Sequence, residues 1–209
     1  MRLGQGVLSA LVVALAAVGP FAATTHGQSN EMGTARNAIG TLIVVRPDGI
    51  EDRLKGKGAV KLFEEDVLRT EPGSQALVEM VDGITLALNE NTAAKLLTRW
   101  EKGKRRVRIV RLRQGEVWVK TAEGQKALEV ETPVATAVVR ETEFNMKVHT
   151  DGQTVLTVIQ GIVEFGTAFG TCPIRTSTVS YGVRGKRCTR PEAVDVTPVT
   201  RWSQAVRQQ

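Results

Sequence analysis

Histidine, cysteine and aromatic side chains are scarce in this 209-residue chain, and each shortage removes a class of chemistry. Two His and two Cys are too few for most catalytic or transition-metal sites, which recruit several such ligands. His149 stands beside an Asp-Gly pair and reads as a turn neighbour; His26 falls in a segment expected to be removed. No G-x-S-x-G elbow and no Cys/His pairing offers a nucleophile with its base. Gly103 and Gly185 are isolated, so no glycine-rich loop is available to cradle phosphate. Aromatics make up 4% of the chain and do not interleave with the basic residues, which disfavours nucleic acid. No cofactor and no metal is implied.

Acidic residues are also in the minority. Lys and Arg outnumber Asp and Glu by 28 to 22, a formal charge of +6. Such an excess favours anionic partners without specifying a fold. At the N-terminus, Arg2 precedes an apolar run over residues 7–18 and then small and polar residues up to Gln28. That order is the pattern of a secretory signal peptide, residues 1–27, with cleavage after Gly27 or Ala23. The run is short for a membrane span, which takes roughly 20 residues, and no later run is longer; an uncleaved anchor is the rival reading. Residues 28–36 read as a polar, disordered linker. The expected location is periplasmic or secreted. There, Cys172 and Cys188 would form one disulfide; two inert buried thiols are the alternative.

From residue 37 to 196 the chain consists of short alternating runs rich in β-branched residues and punctuated by Gly and Asp-Gly. This predicts an all-β domain of antiparallel stacked hairpins, either a β-sandwich or a short β-solenoid. Registers can be read from the apolar faces. A three-residue loop at Thr150-Asp151-Gly152 pairs Met146 with Leu156 and Phe144 with Val158, with Gly152 left-handed. The same solution recurs at Val81-Asp82-Gly83, where Ala76, Val78 and Met80 meet Ile84, Leu86 and Leu88. A second turn type is expected at Gln114-Gly115 and Gln160-Gly161, placing Leu112 opposite Val117 and Val158 opposite Val163. Residues 197–209 predict a short C-terminal helix. Thr197 is its cap, Pro198 lies in its first turn, and Val199, Trp202, Ala205 and Val206 share one face.

Residues 102–113 form a basic strand. Lys102, Lys104, Arg106 and Arg108 share one parity, whereas Arg111 and Arg113 take the other; a β-bulge between Ile109 and Val110 would reconcile them. The candidate ligand-binding face is Lys104, Arg106, Arg108, Arg111 and Arg113, with Trp118 opposite Arg111 in a cation–π contact. A protected edge strand explains the same charges equally well. Glu64, Glu65 and Asp66 read as a solvated corner.

Several of these segments together resemble the FecR-domain family. Glu65-Asp66-Val67-Leu68-Arg69-Thr70 is similar to its G-D-x-L-x-T opening. Gln114-Gly115-Glu116-Val117-Trp118-Val119 is similar to G-x-V-W-V. Val130-Glu131-Thr132-Pro133-Val134-Ala135 is similar to V-x-T-P-x-A, and Val139-Arg140-Glu141-Thr142-Glu143-Phe144 to V-R-G-T-x-F. Glu65 and Glu141 depart from the pattern, standing where the family has Gly. The resemblance implies an exported, non-catalytic binding or sensing module. The family's iron-signalling role is not carried over, because neither a cytoplasmic anti-sigma region nor an internal span is recognised. The expected partner is an envelope protein or an anionic polymer such as peptidoglycan or lipopolysaccharide. An envelope carbohydrate-active enzyme with an unrecognised carboxylate pair, or a structural assembly protein, are the alternatives.

Overall fold

The computed structural model describes residues 31–208 apart from 102–104, 122–123 and 125–126. The expected signal peptide therefore lies outside the described residues. Fifteen strands and one helix follow in order: β1 (Glu31–Val45), β2 (Glu51–Phe63), β3 (Val67–Thr70), β4 (Gln75–Met80), β5 (Thr85–Leu88), β6 (Ala93–Glu101), β7 (Arg105–Lys120) and β8 (Leu128–Glu131). They continue as β9 (Ala135–Val139), β10 (Glu143–Val148), β11 (Thr154–Gln160), β12 (Ile162–Thr167), β13 (Gly170–Arg175), β14 (Thr178–Gly182), β15 (Glu192–Ala193) and α1 (Thr197–Arg207). Pairing is antiparallel throughout except β7 with β8. Strands β7-β5-β4-β1-β3-β6 close on themselves through a β6–β7 pairing. From β7 the sheet also runs through β8, β9, β12 and β13, and through β10, β11, β14 and β15. The result is a barrel-like sandwich, with Phe144, Met146, Leu156, Val158 and Val163 all fully buried in its interior.

Both Asp-Gly hairpins form in the predicted register. Met146 pairs with Leu156 and Phe144 with Val158; Ala76 pairs with Leu88 and Val78 with Leu86. Gly152 and Gly83 are left-handed, with φ of 83° and 85°. The Gln-Gly sites are different, and the expectation of hairpins there is corrected. Strand β7 continues through Gln114-Gly115 without reversing, and Val117 pairs with Met146 and Leu88, not Leu112. Strand β12 pairs with β9 and β13, so Val163 does not face Val158 across a ladder. A two-residue hairpin of the favoured kinds needs a left-handed residue at its first central position, and Gln does not supply it. Gly115 and Gly161 instead make corners, at φ of 89° and 94°, where one strand passes from one layer to the next. Before its corner β7 pairs with β6 and β8; after it, with β5 and β10.

These corners share a construction. Left-handed residues stand at Gly40, Gly73, Asn91, Gly115, Glu141, Gly161 and Ser177, and hydroxyls of neighbouring corners satisfy the backbone they interrupt. Thr92 Oγ1 accepts from the Glu116 N–H at 3.0 Å and donates to the Glu116 carbonyl at 3.2 Å. The Thr142 N–H donates to Thr121 Oγ1 at 2.9 Å, and the Gly161 N–H to Thr176 Oγ1 at 3.0 Å. The fit is close: a Cβ on Gly161 would lie 2.8 Å from Thr142 Cγ2, and one on Gly115 would collide with Thr92. Glu65 and Glu141 occupy left-handed backbone at φ of 74° and 53°, a conformation that costs a non-glycine residue about 1–2 kcal/mol.

Three further expectations are revised. Residues 31–36, read as linker, belong to β1, because Met32 and Ala35 are fully buried in the core. No bulge divides Ile109 from Val110; the β6–β7 register is continuous from Ala94↔Leu112 to Glu101↔Arg105. The parity change instead reflects burial of both faces, with Val107, Ile109, Val110 and Leu112 all inside. Helix α1 forms as predicted, but its N-cap is Val196, and the Thr197 N–H donates to Asp195 Oδ1 at 2.9 Å. Its buried face is Ser203 and Val206, with Trp202 half-buried and Ala205 exposed. It covers a second, smaller apolar cluster of Leu77, Ala87 and Trp118 on the outer side of the sheet.

Candidate functional site

The basic strand does not present its cations as one surface. Arg108 turns inward, where Nε reaches Asp82 Oδ2 at 3.1 Å and both side chains are nearly inaccessible. Arg111 Nε lies 2.8 Å from Glu131 Oε2, and Arg99 bridges Glu129 and Glu131. The parallel neighbour β8 thus supplies the acids that neutralise β7. Arg113 is exposed, whereas Lys104 and the Arg106 side chain lie outside the described residues. Nor is β7 an edge, since it is paired on both sides. Trp118 is buried rather than opposite Arg111. Its Nε1 donates to Glu143 Oε1 at 3.0 Å, and the cation over its ring is Arg207 of α1, 3.9 Å from the centroid. The expected cation–π contact exists with a different partner, because α1 covers the face that Arg111 was expected to share.

Asp66, read from the sequence as part of a solvated corner, is buried as well. It is fully buried, accepts from the Phe63 N–H at 2.7 Å, and pairs with Arg46 Nη1 at 2.5 Å. Burial raises its carboxyl above the ordinary value, against the opposing pull of that N–H and of Arg46. Arg46 also holds Asp52 and stacks over Phe63 at 5.3 Å, so this cluster knits β1, β2 and β3 together and is structural.

Polar groups converge elsewhere, just beyond the β7 corner. Two open clefts, of about 300 and 470 Å³, meet at Glu116, Lys147 and His149. The first runs over the corner residues Asn89, Asn91 and Gln114. The second lies between the first turns of α1 and the outer face of β10, β11 and β14, lined by Asn145, Thr157, Tyr181, Val199 and Trp202. Glu116 is the hub. Asn89 Nδ2 donates to its Oε2 at 3.0 Å and Asn145 Nδ2 to its Oε1 at 2.9 Å, with Lys147 Nζ 3.6 Å away. Asn145 is 3% exposed, yet its Oδ1 has no hydrogen-bond partner, and neither has the buried Nε1 of Trp202. An acceptor and a donor therefore stand unpaired among the residues lining one groove. Leaving such groups unsatisfied costs about 1–3 kcal/mol each, and Asp66 Oδ1, Asp82 Oδ1 and Thr142 Oγ1 are buried without a partner as well.

This arrangement is suited to recognition: fixed polar groups, an aromatic wall and a cation. Among the described residues no group of three or more His, Cys, Asp or Glu could hold a metal ion. The sequence reading missed the groove because its parts come from the 89–91 loop, β7, β10, β11, β14 and α1. Only Glu116, the lone charged residue in an apolar run after a corner glycine, carried a signal. The two cysteines do bond, Cys172 to Cys188.

Residues 66–164 match the family model described as FecR protein. Two crystal structures of a candidate anti-sigma factor from Parabacteroides distasonis share the fold, each at 21% identity and a TM-score of 0.54. The match covers 65% of this chain and 63% of that one. No curated protein gives a significant match.

Proposed function

We propose, from the match of residues 66–164 to the FecR model, that the chain is an exported, non-catalytic sensing module that receives another envelope protein in the groove at Glu116 and Asn145. The observation that carries this reading is the convergence of Glu116, Asn145, Lys147, Tyr181 and Trp202 along one groove, with Glu116 held by Asn145 Nδ2 and Lys147 Nζ. The family and the anti-sigma-like fold support a regulatory role. Export is supported by the apolar segment at residues 7–18 and by the disulfide, a bond that persists in oxidising compartments.

The carboxylates near the groove support binding over catalysis. Both Glu116 oxygens accept from amides, and Glu90 Oε2 accepts from the Gly73 N–H at 2.7 Å. A glycoside hydrolase needs one carboxyl free to donate a proton and another free to attack or activate water.

The test is complementation. A strain lacking the protein should show an altered transcript profile that the wild-type chain restores. The Asn145→Ala/Trp202→Ala variant should accumulate to the same level outside the cytoplasm and fail to restore it. Full restoration by that variant would remove the groove from the function.

A further inference from the structure

A second surface, sharing no residue with the groove, lies where three turns meet: 132–134, 168–169 and 183–187. Its composition is unusual. From Phe165 to Pro191 the chain contains no Asp or Glu, but it carries Arg175, Arg184, Lys186, Arg187 and Arg190, all exposed. Unlike the cations of β7, none of these pairs with a carboxylate among the described residues, and elsewhere such pairs are frequent. Between the turns is an open cleft of about 350 Å³ with Pro133, Val134, Phe169 and Val183 on its walls and Arg184 and Lys186 at its rim. Phe169, in the short turn between β12 and β13, is 60% exposed.

The surface is held in shape. Cys172–Cys188 ties β13 to the end of the cationic loop. Thr167 Oγ1 donates to the Lys186 carbonyl at 3.0 Å, and Arg187 Nη2 to the Thr171 carbonyl at 3.1 Å. Beyond the disulfide, the Thr189 N–H donates to the Tyr181 carbonyl at 3.0 Å. Four like charges, Arg184, Lys186, Arg187 and Arg190, with no carboxylate partner among the described residues repel one another, and an exposed Phe on a turn is poorly solvated. Both costs are offset at once by an anionic bilayer, which attracts cations near its surface by about fivefold in affinity per residue and accepts an apolar side chain at its acyl boundary.

We propose that this disulfide-clamped tip docks the protein onto an anionic phospholipid surface, with Phe169 inserted and Arg184, Lys186, Arg187 and Arg190 on the headgroups. The test places an environment-sensitive fluorophore at Ala168→Cys in the full chain, beside an intact Phe169, so that the readout reports the tip and not the N-terminal apolar segment. Vesicles of phosphatidylglycerol and phosphatidylcholine should raise and blue-shift the emission. Arg184→Glu with Lys186→Glu should weaken this response by at least about tenfold in lipid concentration, Phe169→Ala should reduce the shift, and salt at about 0.5 M should abolish it. An equal response to pure phosphatidylcholine, no response while the chain co-sediments, or an equal response to soluble polygalacturonate would each overturn the proposal, the last in favour of an acidic polymer.

Discussion

Strand β7 and the loop at 183–190 are both dense in Arg and Lys, yet they meet opposite fates. In β7 two of the cations are absorbed by the fold: Arg108 by Asp82 in the interior, Arg111 by Glu131 on the adjacent strand. In the loop they remain exposed and, among the described residues, pair with no carboxylate. The difference teaches that a run of charge in sequence becomes a surface only if the strands beside it carry no acids. β8 brings Glu129 and Glu131 to β7, whereas β13 and β14 bring none to the loop.

Removing one member of the buried pair should give the largest effect. Asp82→Ala leaves Arg108 buried and unpaired, and should lower unfolding free energy in urea by about 3–5 kcal/mol. Adding Arg108→Met should recover most of it; a loss under about 1 kcal/mol for the single variant would mean that β7 holds its charges loosely. Next, breaking the clamp with Cys172→Ser and Cys188→Ser should cost about 3 kcal/mol, the chain-entropy value for a loop of this size, without altering the β7 pairs. Smaller gains are expected where the chain departs from the family pattern. Glu65→Gly and Glu141→Gly each relieve a left-handed residue and should stabilise by about 1 kcal/mol, read as a rise in urea midpoint.

The pH response has a definite sign. Asp66 has its carboxyl raised on folding, so the folded state holds the proton at a higher pH than the unfolded state. Its contribution to stability therefore increases as pH falls through the folded value towards the unfolded one, about 3.9. Asp66→Asn should remove that part of the difference in urea midpoint between mildly acidic and neutral buffer. An unchanged difference would show that other groups dominate.

How far the sequence could be read follows from how local each cause is. The Asp-Gly hairpins, the cystine and α1 were legible because spacing, alternation and a count of two determine them. The corners were not: Gln-Gly looks like a turn, and only the partners of Val117 and Val163 reveal that the strand goes on. Likewise Arg108 and Asp66 were misplaced because their counter-charges lie 26 and 20 residues away. The groove at Glu116 was invisible for the same reason, being assembled from four strands, a loop and a helix.

The claim that recognition uses the groove and not the β7 face can be tested by in-cell photocrosslinking from two positions. A probe at Tyr181 should yield a discrete adduct with another envelope protein, and a probe at exposed Arg113 should yield none. An adduct from Arg113 with a silent Tyr181 would contradict it.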